Sequence, residues 1–336
     1  MMRMGPPQQG ATLPGALRGH EHFGFKDGVS QPGIRGVNMP TDPHDPDHGN
    51  PGQDLLWPGE FVLGYPTQIP LPPVGHPADA NRDPGLVSTA GPAWTADGSF
   101  LVFRRLRQDV AGFQAFVEAT ALQQGISSDV LGAKLIGRYR SGAPLEPTAD
   151  TAGGVDTTAG DPSLADPAVL DDLRINNFEF GDDPEGALTP RAAHIRKAYP
   201  RDSPTPTGGE SDTQTHRILR RGIPFGRSYQ ADAPPNSARG ANPQYPNDRG
   251  LLFLCYQSSI ERQFEFVQQR WFNDPNFPTP GDGHDPIVAQ ITPRTFELPT
   301  SRAGHLTLMQ SFVLVTGGEY FFAPSIDTLH WLGKKK

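Results

Sequence analysis

The chain alternates between a few strongly patterned segments and long stretches that are rich in glycine, proline and aspartate. Two predominantly apolar runs, Phe100–Leu106 and Gly250–Tyr256, predict β-strands. Asp109 is placed to cap a helix that carries Phe113 on its apolar face, and a second helix is predicted over residues 128–138. The stretches between these segments predict an unusual amount of loop.

Two further helices are indicated by local start signals. Thr189-Pro190 is typical of a helix start, because a capping residue precedes a proline at the first helical position. That helix has to end by Tyr199, since Pro200 follows it. Ser258 and Glu261 have the spacing of a capping box, which predicts a longer helix. The apolar stripe of that helix comprises Ile260, Phe264, Val267 and Trp271.

Near the end of the chain, Gly317-Gly318 stands between the apolar runs Leu306–Val315 and Glu319–Phe322, which predicts a β-hairpin with a two-residue turn. In chain order, the predicted elements are a strand, two helices, a long loop over residues 141–173, a short helix, a strand, a helix and the hairpin. This order predicts an antiparallel α+β fold and not an alternating βαβ arrangement. The chain has neither the glycine fingerprint of dinucleotide sites nor a phosphate-loop motif.

The amino-acid composition excludes several classes of function. The 336 residues carry a net charge of −8, which argues against nucleic acid as the main partner. A single cysteine, Cys255, excludes an internal disulfide. No apolar run approaches the ~18 residues of a membrane span, so no membrane partner is expected. The N-terminus lacks a signal-peptide pattern, which predicts a cytoplasmic location, with secretion as the alternative if an N-terminal region has been lost.

Three residues stand in settings that allow chemistry. Asp27, in GFKDG, is typical of a turn, but flanking glycines also suit a carboxylate at a site where the backbone closely approaches another group. His194 lies among cations, which indicate either a solvated helix face or a ligand histidine beside an anionic cofactor. Arg220 leaves an apolar segment for a Gly/Pro turn, so it is either a surface charge or a side chain directed into a pocket.

A proline-rich loop region holds a different candidate site. Two motifs, GHEH and DPHDPDH, are dense in histidine and aspartate and contain His20, His22, Asp42, His44, Asp45, Asp47 and His48. These residue types can hold a metal ion, although ligands need a fixed geometry that a flexible loop does not supply. A loop-rich metal-binding protein is therefore one alternative interpretation of the chain.

Three motifs, taken together, favour the catalytic interpretation of these residues over the structural one. GFKDG, AAHIRKAYPR and ILRRGIPFG resemble motifs of the dye-decolorizing peroxidase family, and they occur in the family's order. The blocks EHFGFKDGVSQP, GSFLVFRRLRQDV, RGLLFLCYQSSIERQFEFVQQRW and GGEYFFAPS extend the resemblance from about Gly19 to about Leu332. It implies a ferredoxin-like α+β fold of the dimeric α+β barrel type. Family members usually carry a first ferredoxin-like domain before the aspartate motif. Only about twenty residues precede it here, so most of that domain is predicted to be missing.

The resemblance also divides the chain. Residues 1–98 are predicted to be a disordered lead-in and a Gly/Pro-rich interdomain segment that carries the G-x-x-D-G motif. Residues 99–336 are predicted to form a haem-binding C-terminal ferredoxin-like domain with long insertions. A sheet without its packing partner exposes an apolar face, which invites aggregation or a partner and leaves a homo-oligomer open.

The activity that the resemblance implies is a haem peroxidase that reduces hydrogen peroxide. Asp27 matches the distal catalytic aspartate, and Arg220 matches the distal arginine, with Arg221 as the alternative. A carboxylate can take a proton from one peroxide oxygen and return it to the other, while a guanidinium stabilises the leaving oxygen. Because an ordinary aspartate has a pKa of about 3.9, against about 6.5 for histidine, an aspartate base predicts an acidic pH optimum.

The same resemblance implies one haem b per chain. His194 matches the axial ligand of the haem iron, which would be the metal site of the chain. Arg201 resembles a partner of a haem propionate. Leu251 and Phe253 alternate on one strand face and resemble the apolar residues that flank the distal pocket.

Aromatic dyes or phenols are the implied reductants, and each gives up single electrons. Since bulky dyes do not reach a buried haem, the resemblance implies electron transfer from a surface tyrosine or tryptophan. Phe225 replaces the tyrosine often found in its motif, so Trp271 is the substitute candidate, with core packing as the other interpretation. A haem-binding or truncated domain without turnover is the alternative to an active enzyme.

Overall fold

The computed structural model describes residues 8–70, 83–146, 160–229, 248–299 and 304–334. Its strands are β1 (Gly33–Ile34), β2 (Leu55–Leu56), β3 (Ser99–Gln108), β4 (Leu219–Phe225), β5 (Gly250–Gln257), β6 (Arg294–Glu297), β7 (His305–Leu308) and β8 (Val313–Ala323). Its α-helices are α1 (Val110–Gln124), α2 (Ser128–Ile136), α3 (His194–Ala198), α4 (Glu210–Gln214) and α5 (Ile326–Lys334). Two consecutive π-helical segments span Ile260–Glu265 and Val267–Phe272.

Four long strands form one antiparallel sheet in the order β4-β5-β3-β8. Two of them, β3 and β5, confirm the strands predicted from the apolar runs near residues 100 and 250. The short strands β1 and β2 form a parallel pair, and β6 and β7 form a separate antiparallel pair. An antiparallel sheet with helices packed beside it confirms the predicted α+β class.

The two helices after β3 are capped as the sequence indicates. The side chain of Asp109 accepts a hydrogen bond from the Gly112 amide at 3.0 Å and caps α1, which ends at Gly125 with a left-handed φ of 71°. Ser127 caps α2 by accepting a hydrogen bond from the Val130 amide at 3.1 Å. Both predicted helices are therefore confirmed.

The third helix, α3, begins later than predicted. The Ala193 amide closes a turn onto the Pro190 carbonyl oxygen at 2.8 Å, and the Thr189 amide donates to a carboxylate oxygen of Asp183 at 2.9 Å. Thr189-Pro190 therefore starts a turn, and the helix follows one turn later, with His194 as its first residue. Its end at Ala198 is as predicted.

The segment after β5 is helical as predicted, but its cap and its winding differ. Ser259, and not Ser258, accepts the hydrogen bond from the Arg262 amide at 3.1 Å. The Gln263 side chain accepts in return from the Ser259 amide at 2.9 Å, which completes a reciprocal cap one residue later than predicted. The segment is wound as a π-helix.

The predicted hairpin at Gly317-Gly318 is wrong. Strand β8 runs through both glycines and pairs with β3 along its length, with a bulge at Thr316. A Cβ atom at Gly318 would lie 2.7 Å from Cδ of Arg104 and 2.7 Å from the carbonyl oxygen of Phe103. Close approach of a neighbouring strand therefore explains the glycine at position 318, and a turn does not.

The main core lies between helices α1 and α2, the β6-β7 pair and the first residue of β8. Phe113 of α1 is fully buried, and its ring centroid lies 4.4 Å from that of Phe23 and 6.4 Å from that of Phe25. These two phenylalanines come from the segment just before Asp27. The segment that carries the aspartate motif is thus anchored in the core that α1 helps to form.

Residues 8–70 and 83–98 make other contacts with the second half of the chain. The Ala11 amide donates to the Pro224 carbonyl oxygen of β4 at 2.8 Å, in a stretch for which the sequence predicts a disordered lead-in. Glu60 is fully buried and accepts a hydrogen bond from Nη2 of Arg262 at 2.8 Å. The described part of this segment therefore packs along residues of the second half of the chain, while residues 1–7 lie outside the described residues.

The two faces of the sheet differ in exposure. Val102 and Cys255 are paired across β3 and β5 and are fully buried on one face. On the other face Leu101, Tyr256 and Phe321 form one apolar row, in which Tyr256 and Phe321 are 41% and 47% exposed. None of the described helices combines the length and the apolar character needed to cross a membrane.

Replacing Gly318 with alanine should destabilise the protein by about 1–3 kcal/mol, because the added methyl group overlaps Arg104 and Phe103. The same change at Gly317 should alter the free energy of unfolding by less than about 1 kcal/mol, since Arg105 Cβ at 4.0 Å is the nearest atom. Urea unfolding of both variants measures the difference. Equal losses would instead indicate a two-residue turn, in which both glycines need a left-handed backbone.

Candidate functional site

Asp27 and Arg220 form an ion pair across 193 residues of sequence, with Nη1 of the arginine 2.8 Å from Oδ1 of the aspartate. Both side chains are partly exposed, at 22% for Asp27 and 32% for Arg220. The Asp27 amide donates to the Gly19 carbonyl oxygen at 2.9 Å, and the Gly28 amide donates to Oδ1 at 2.7 Å. Oδ1 is thus occupied twice, and Oδ2 accepts no hydrogen bond from the described residues.

Gln31 holds the backbone of Arg220. Its Nε2 donates to the Arg220 carbonyl oxygen at 2.6 Å, and its Oε1 accepts from the Arg220 amide at 3.4 Å. Strand β4 is an edge strand of the sheet, so this carboxamide takes the place of a neighbouring strand. Arg221 lies opposite Leu254 in the register, on the other face, and is exposed. Of the two candidate arginines, the structure therefore brings Arg220 to Asp27.

Gly222 makes room for the Asp27 carboxylate. A Cβ atom at this position would lie 2.1 Å from Oδ2 of Asp27 and 3.0 Å from Cδ2 of Leu251. Gly222 is paired with Phe253 in the register of β4 and β5. The structure therefore brings Leu251 and Phe253 to the same face of the sheet as Asp27 and Arg220.

His194 is fixed by a buried carboxylate. Its Nδ1 lies 2.8 Å from Oδ2 of Asp285, whose side chain is fully buried, and Phe272 stacks on the imidazole with a centroid distance of 5.6 Å. Oδ1 of Asp285 accepts from the amides of Ile287 and Val288 at 2.8 and 2.7 Å. Burial alone would raise the pKa of Asp285. The charge and hydrogen bond of His194, with the two amides, outweigh burial and hold that pKa below its ordinary value of 3.8.

This carboxylate selects one tautomer of the histidine. Because ionised Asp285 can only accept a hydrogen bond, Nδ1 of His194 carries the hydrogen when the ring is neutral, and Nε2 then keeps its lone pair. Nε2 makes no hydrogen bond to the described residues. The imidazole is therefore prepared to bind a metal ion through Nε2.

Sequence reasoning missed Asp285, because 91 residues separate it from His194. The local signal is the dipeptide Asp285-Pro286, which is typical of a turn in which the aspartate caps the following amides. That signal predicts a structural role and gives no indication of its partner.

Arg201 and Arg138 place two further guanidinium groups near Arg220. Nη1 of Arg201 donates to the Phe178 carbonyl oxygen at 2.6 Å, and Arg138 is buried and donates to the carbonyl oxygen of Gly142 at 2.9 Å. Burial, and then the positive charges of Arg201 and Arg220, lower the pKa of Arg138 to about 9. Although Arg220 pairs with Asp27 and Arg201 lies 3.6 Å from Glu179, the mutual repulsion of the three guanidinium groups favours an anionic ligand beside them. Sequence reasoning assigned no role to Arg138.

Trp271 does not lie at the surface. It is 1% exposed and stacks on Phe277 with a centroid distance of 5.1 Å. The prediction of Trp271 as a surface route for electrons is therefore wrong, and the core-packing interpretation is correct. Phe225 is also buried, at 2% exposure.

The alternative metal site finds no support in the described residues, where no three histidine, cysteine or acidic side chains come together as ligands. His22 is buried and bonds through Nε2 to the Phe225 carbonyl oxygen at 2.8 Å. His48 pairs with Asp45 at 2.9 Å, and Arg35 pairs with Asp47 at 2.5 Å.

The chain resembles proteins of one family over almost its whole length. Residues 75–279 match the family model described as Dyp-type peroxidase, C-terminal. A dye-decolorizing peroxidase of Mycetinis scorodonius is 34% identical over 341 residues, which cover 96% of this chain and 58% of the relative.

Solved structures give the same result. An ancestral D-type dye-decolorizing peroxidase is 37% identical with a TM-score of 0.69, and the match covers 96% of this chain and 64% of that chain. A dye-decolorizing peroxidase in complex with 2,6-dimethoxyphenol is 33% identical with a TM-score of 0.67, covering 95% of this chain and 65% of that chain. This chain thus shares their fold and spans less than two thirds of their length.

Gly222→Ala should displace the Asp27 carboxylate and leave most of the fold intact. The added methyl group meets Oδ2, the end of a flexible side chain, so we expect a loss of less than about 2 kcal/mol in the free energy of unfolding. A crystal structure of the variant should show the ion pair with Arg220 broken. Gly209→Ala is the control, because nothing lies within 4 Å of its added Cβ. An unbroken ion pair in Gly222→Ala would contradict this account.

Proposed function

Because the chain belongs to the dye-decolorizing peroxidase family, we propose that it is a haem peroxidase that reduces hydrogen peroxide and takes single electrons from aromatic dyes or phenols. The observation that carries this proposal is the ion pair between Asp27 and Arg220. It unites a proton acceptor and a fixed positive charge, the two groups that cleavage of a peroxide bond needs.

The residues present fit haem b, one per chain. His194 would hold the iron through Nε2, and the surrounding arginines suit the two carboxylates of the porphyrin, with Arg201 as the first propionate partner and Arg138 beside it. Leu251 and Phe253 would bound the distal side of the pocket. When bound, haem supplies the redox-active iron that accepts electrons from the reductant and passes them to peroxide.

Asp27 is the proposed proton carrier. Oδ1 is occupied by the Gly28 amide and by Arg220, so Oδ2 is the atom that takes a proton from one oxygen of hydrogen peroxide. The same atom returns the proton to the other oxygen, which leaves as water.

Arg220 supports this transfer electrostatically. Its guanidinium lies beside Asp27 and stabilises the negative charge that develops on the leaving oxygen. Gln31 keeps the arginine backbone in place, so the charge is positioned before peroxide arrives. A guanidinium that is already in position does not have to move during the reaction, so no free energy is spent on reorganising it.

A haem-binding or truncated domain without turnover is the second candidate function. It is favoured by the pairing of His194 with Asp285, which would bind haem through Nε2 without a contribution from Asp27 or Arg220. The matched region covers 58% of the Mycetinis scorodonius relative. In either case we propose that residues 99–336 form the haem-binding domain and that residues 1–98 contribute the aspartate motif. The phenol complex of a 33% identical relative supports phenols as reductants.

The purified chain, expressed with haem supplied, should show a Soret band at about one haem per chain. His194→Ala should lose this band, while His330→Ala, a change at an exposed histidine, should keep it. Asp285→Asn should weaken haem binding about 10–100-fold, because an amide nitrogen beside Nδ1 moves the ring hydrogen to Nε2. Titration with haem measures both. A soluble chain without a Soret band would contradict the proposal.

Asp27→Asn should keep the Soret band and lower the rate of reaction with peroxide about 10²–10⁴-fold. The unchanged protein should oxidise dyes fastest at acidic pH, because an aspartate base stays ionised to lower pH than a histidine base. Stopped-flow mixing with peroxide and a pH series of dye oxidation measure the two effects. An optimum above neutral pH, or an unchanged rate in Asp27→Asn, would count against Asp27 as the proton carrier.

A further inference from the structure

Lys197 is a fully buried lysine that lies three residues after His194 in α3. Its Nζ donates hydrogen bonds to the carbonyl oxygens of Trp271 at 2.8 Å and of Asp274 at 2.7 Å. Both partners are neutral backbone groups, so neither of them neutralises the charge. Because removing an ammonium group from water costs several kcal/mol, lysine is almost never fully buried unless its charge is paired. The proposed roles of His194 and Asp27 do not explain this charge.

The backbone that holds Lys197 also holds the two groups that support His194. The lysine binds carbonyl groups on either side of Phe272, at the end of the second π-helical segment. The ring of Phe272 stacks on the imidazole of His194, and its carbonyl oxygen accepts a hydrogen bond from the Asp285 amide at 3.0 Å. The ammonium group therefore has a fixed position relative to the imidazole and to its carboxylate partner.

Charge couples Lys197 to Asp285. Burial lowers the pKa of Lys197 to about 8, and the negative charge of Asp285 opposes this shift more strongly than those of Asp274 and Asp282. At pH 6, well below this pKa, the side chain carries its positive charge. A cation near a carboxylate stabilises the ionised form and so weakens the attraction of the carboxylate for a proton. Asp285 therefore draws the ring hydrogen of His194 less strongly than it would without the lysine.

The strength of this hydrogen bond determines how well the imidazole donates electrons to a metal ion. A carboxylate that accepts a hydrogen bond from Nδ1 raises the basicity of Nε2. Stronger donation stabilises the oxidised form of the metal, so it lowers the reduction potential. A buried cation near the carboxylate acts in the opposite direction, because it weakens the donation and because positive charge favours the reduced form. Lys197 and Asp285 therefore have opposing effects on the same ligand.

We propose that Lys197 is a positioning residue whose buried charge limits the attraction of Asp285 for the ring hydrogen of His194 and thereby raises the reduction potential of the bound haem. The proposal rests on the proposed haem peroxidase function, because His194 has to bind the iron. Lys197 acts through Asp285 and His194 and needs no contact with peroxide or with the reductant. The higher potential increases the driving force for electron transfer from an aromatic reductant to the haem.

Lys134 of α2 provides a matched control within the same chain. Its Nζ also donates to two backbone carbonyl oxygens, both at 3.0 Å, and burial lowers its pKa as well. The negative charges that act on Lys134 are those of Asp183 and Glu146. The two lysines therefore share the same type of hydrogen bonds and differ in the carboxylates that surround them, and Lys197 is the one coupled to Asp285.

The reduction potential tests the proposal directly. Lys197→Gln removes the charge and keeps an N–H donor for the two carbonyl groups. In a redox titration of the haem-loaded protein at pH 6, the Fe(II):Fe(III) ratio at a fixed applied potential should fall about 10-fold in this variant, which corresponds to a midpoint about 59 mV lower for a one-electron couple. Lys134→Gln should leave the ratio unchanged.

Resonance Raman spectra of the reduced holoenzyme separate this role from a purely structural one. In Lys197→Gln the Fe–His stretching band should move to higher frequency, because Asp285 then draws the ring hydrogen more strongly and Nε2 binds the iron more tightly. If Lys197 only anchored the backbone, its loss would loosen the hydrogen bond between Asp285 and His194. The band would then move to lower frequency and the potential would rise, and either shift would overturn the proposal.

Lys197→Met is a second variant, for use if Lys197→Gln does not fold, because methionine has a similar length and no charge. It should show the same lower potential and the same higher Fe–His frequency. A normal Soret band with an unshifted potential in the charge-free variants would overturn the role of Lys197 and leave the peroxidase proposal intact. The lack of a Soret band in the unchanged protein would overturn both.

Discussion

A carboxylate from a loop segment and a guanidinium from an edge strand meet at 2.8 Å, and the candidate site around Asp27 depends on this contact. An ion pair with both partners partly exposed stabilises the fold by only about 0–1 kcal/mol, so this interaction alone does not fix the positions of Asp27 and Arg220. Contacts elsewhere in the two segments fix them. Phe23 and Phe25 anchor the loop on Phe113, and Gln31 replaces the missing strand beside Arg220. The packing of α1 therefore determines where the Asp27 carboxylate lies.

His194 is held in place by a different kind of interaction. Burying a carboxylate costs several kcal/mol unless its lone pairs are used, and Asp285 uses them on the Ile287 and Val288 amides and on the His194 ring. This arrangement makes the histidine side stiff. The aspartate side is bordered by an edge strand and partly open to solvent, which suits the proton exchange proposed for Asp27.

The sequence pattern correctly predicted those strands and helices that are determined by residues close together in the chain. The apolar runs at β3 and β5 and the caps at Asp109 and Ser127 all act within a few residues of the chain. Contacts between distant segments explain the errors. Gly317-Gly318 has the composition of a turn, yet Arg104 of a neighbouring strand requires the second glycine. Asp285, Gln31 and Arg138 act on partners that sequence spacing does not reveal. The family motifs, in contrast, indicated Asp27, His194 and Arg220 as candidates without any geometry, and the structure pairs the first with the third.

Cys255, the single cysteine of the chain, is fully buried in the middle of the sheet, across from Val102. Burial raises the pKa of its thiol far above the ordinary value, so almost no thiolate forms near neutral pH. Oxidation to sulfenic and higher acids needs an accessible thiolate. The single sulfhydryl group is thus protected from oxidants in solution, and oxidative damage to sulfur falls first on exposed methionines such as Met39 and Met309.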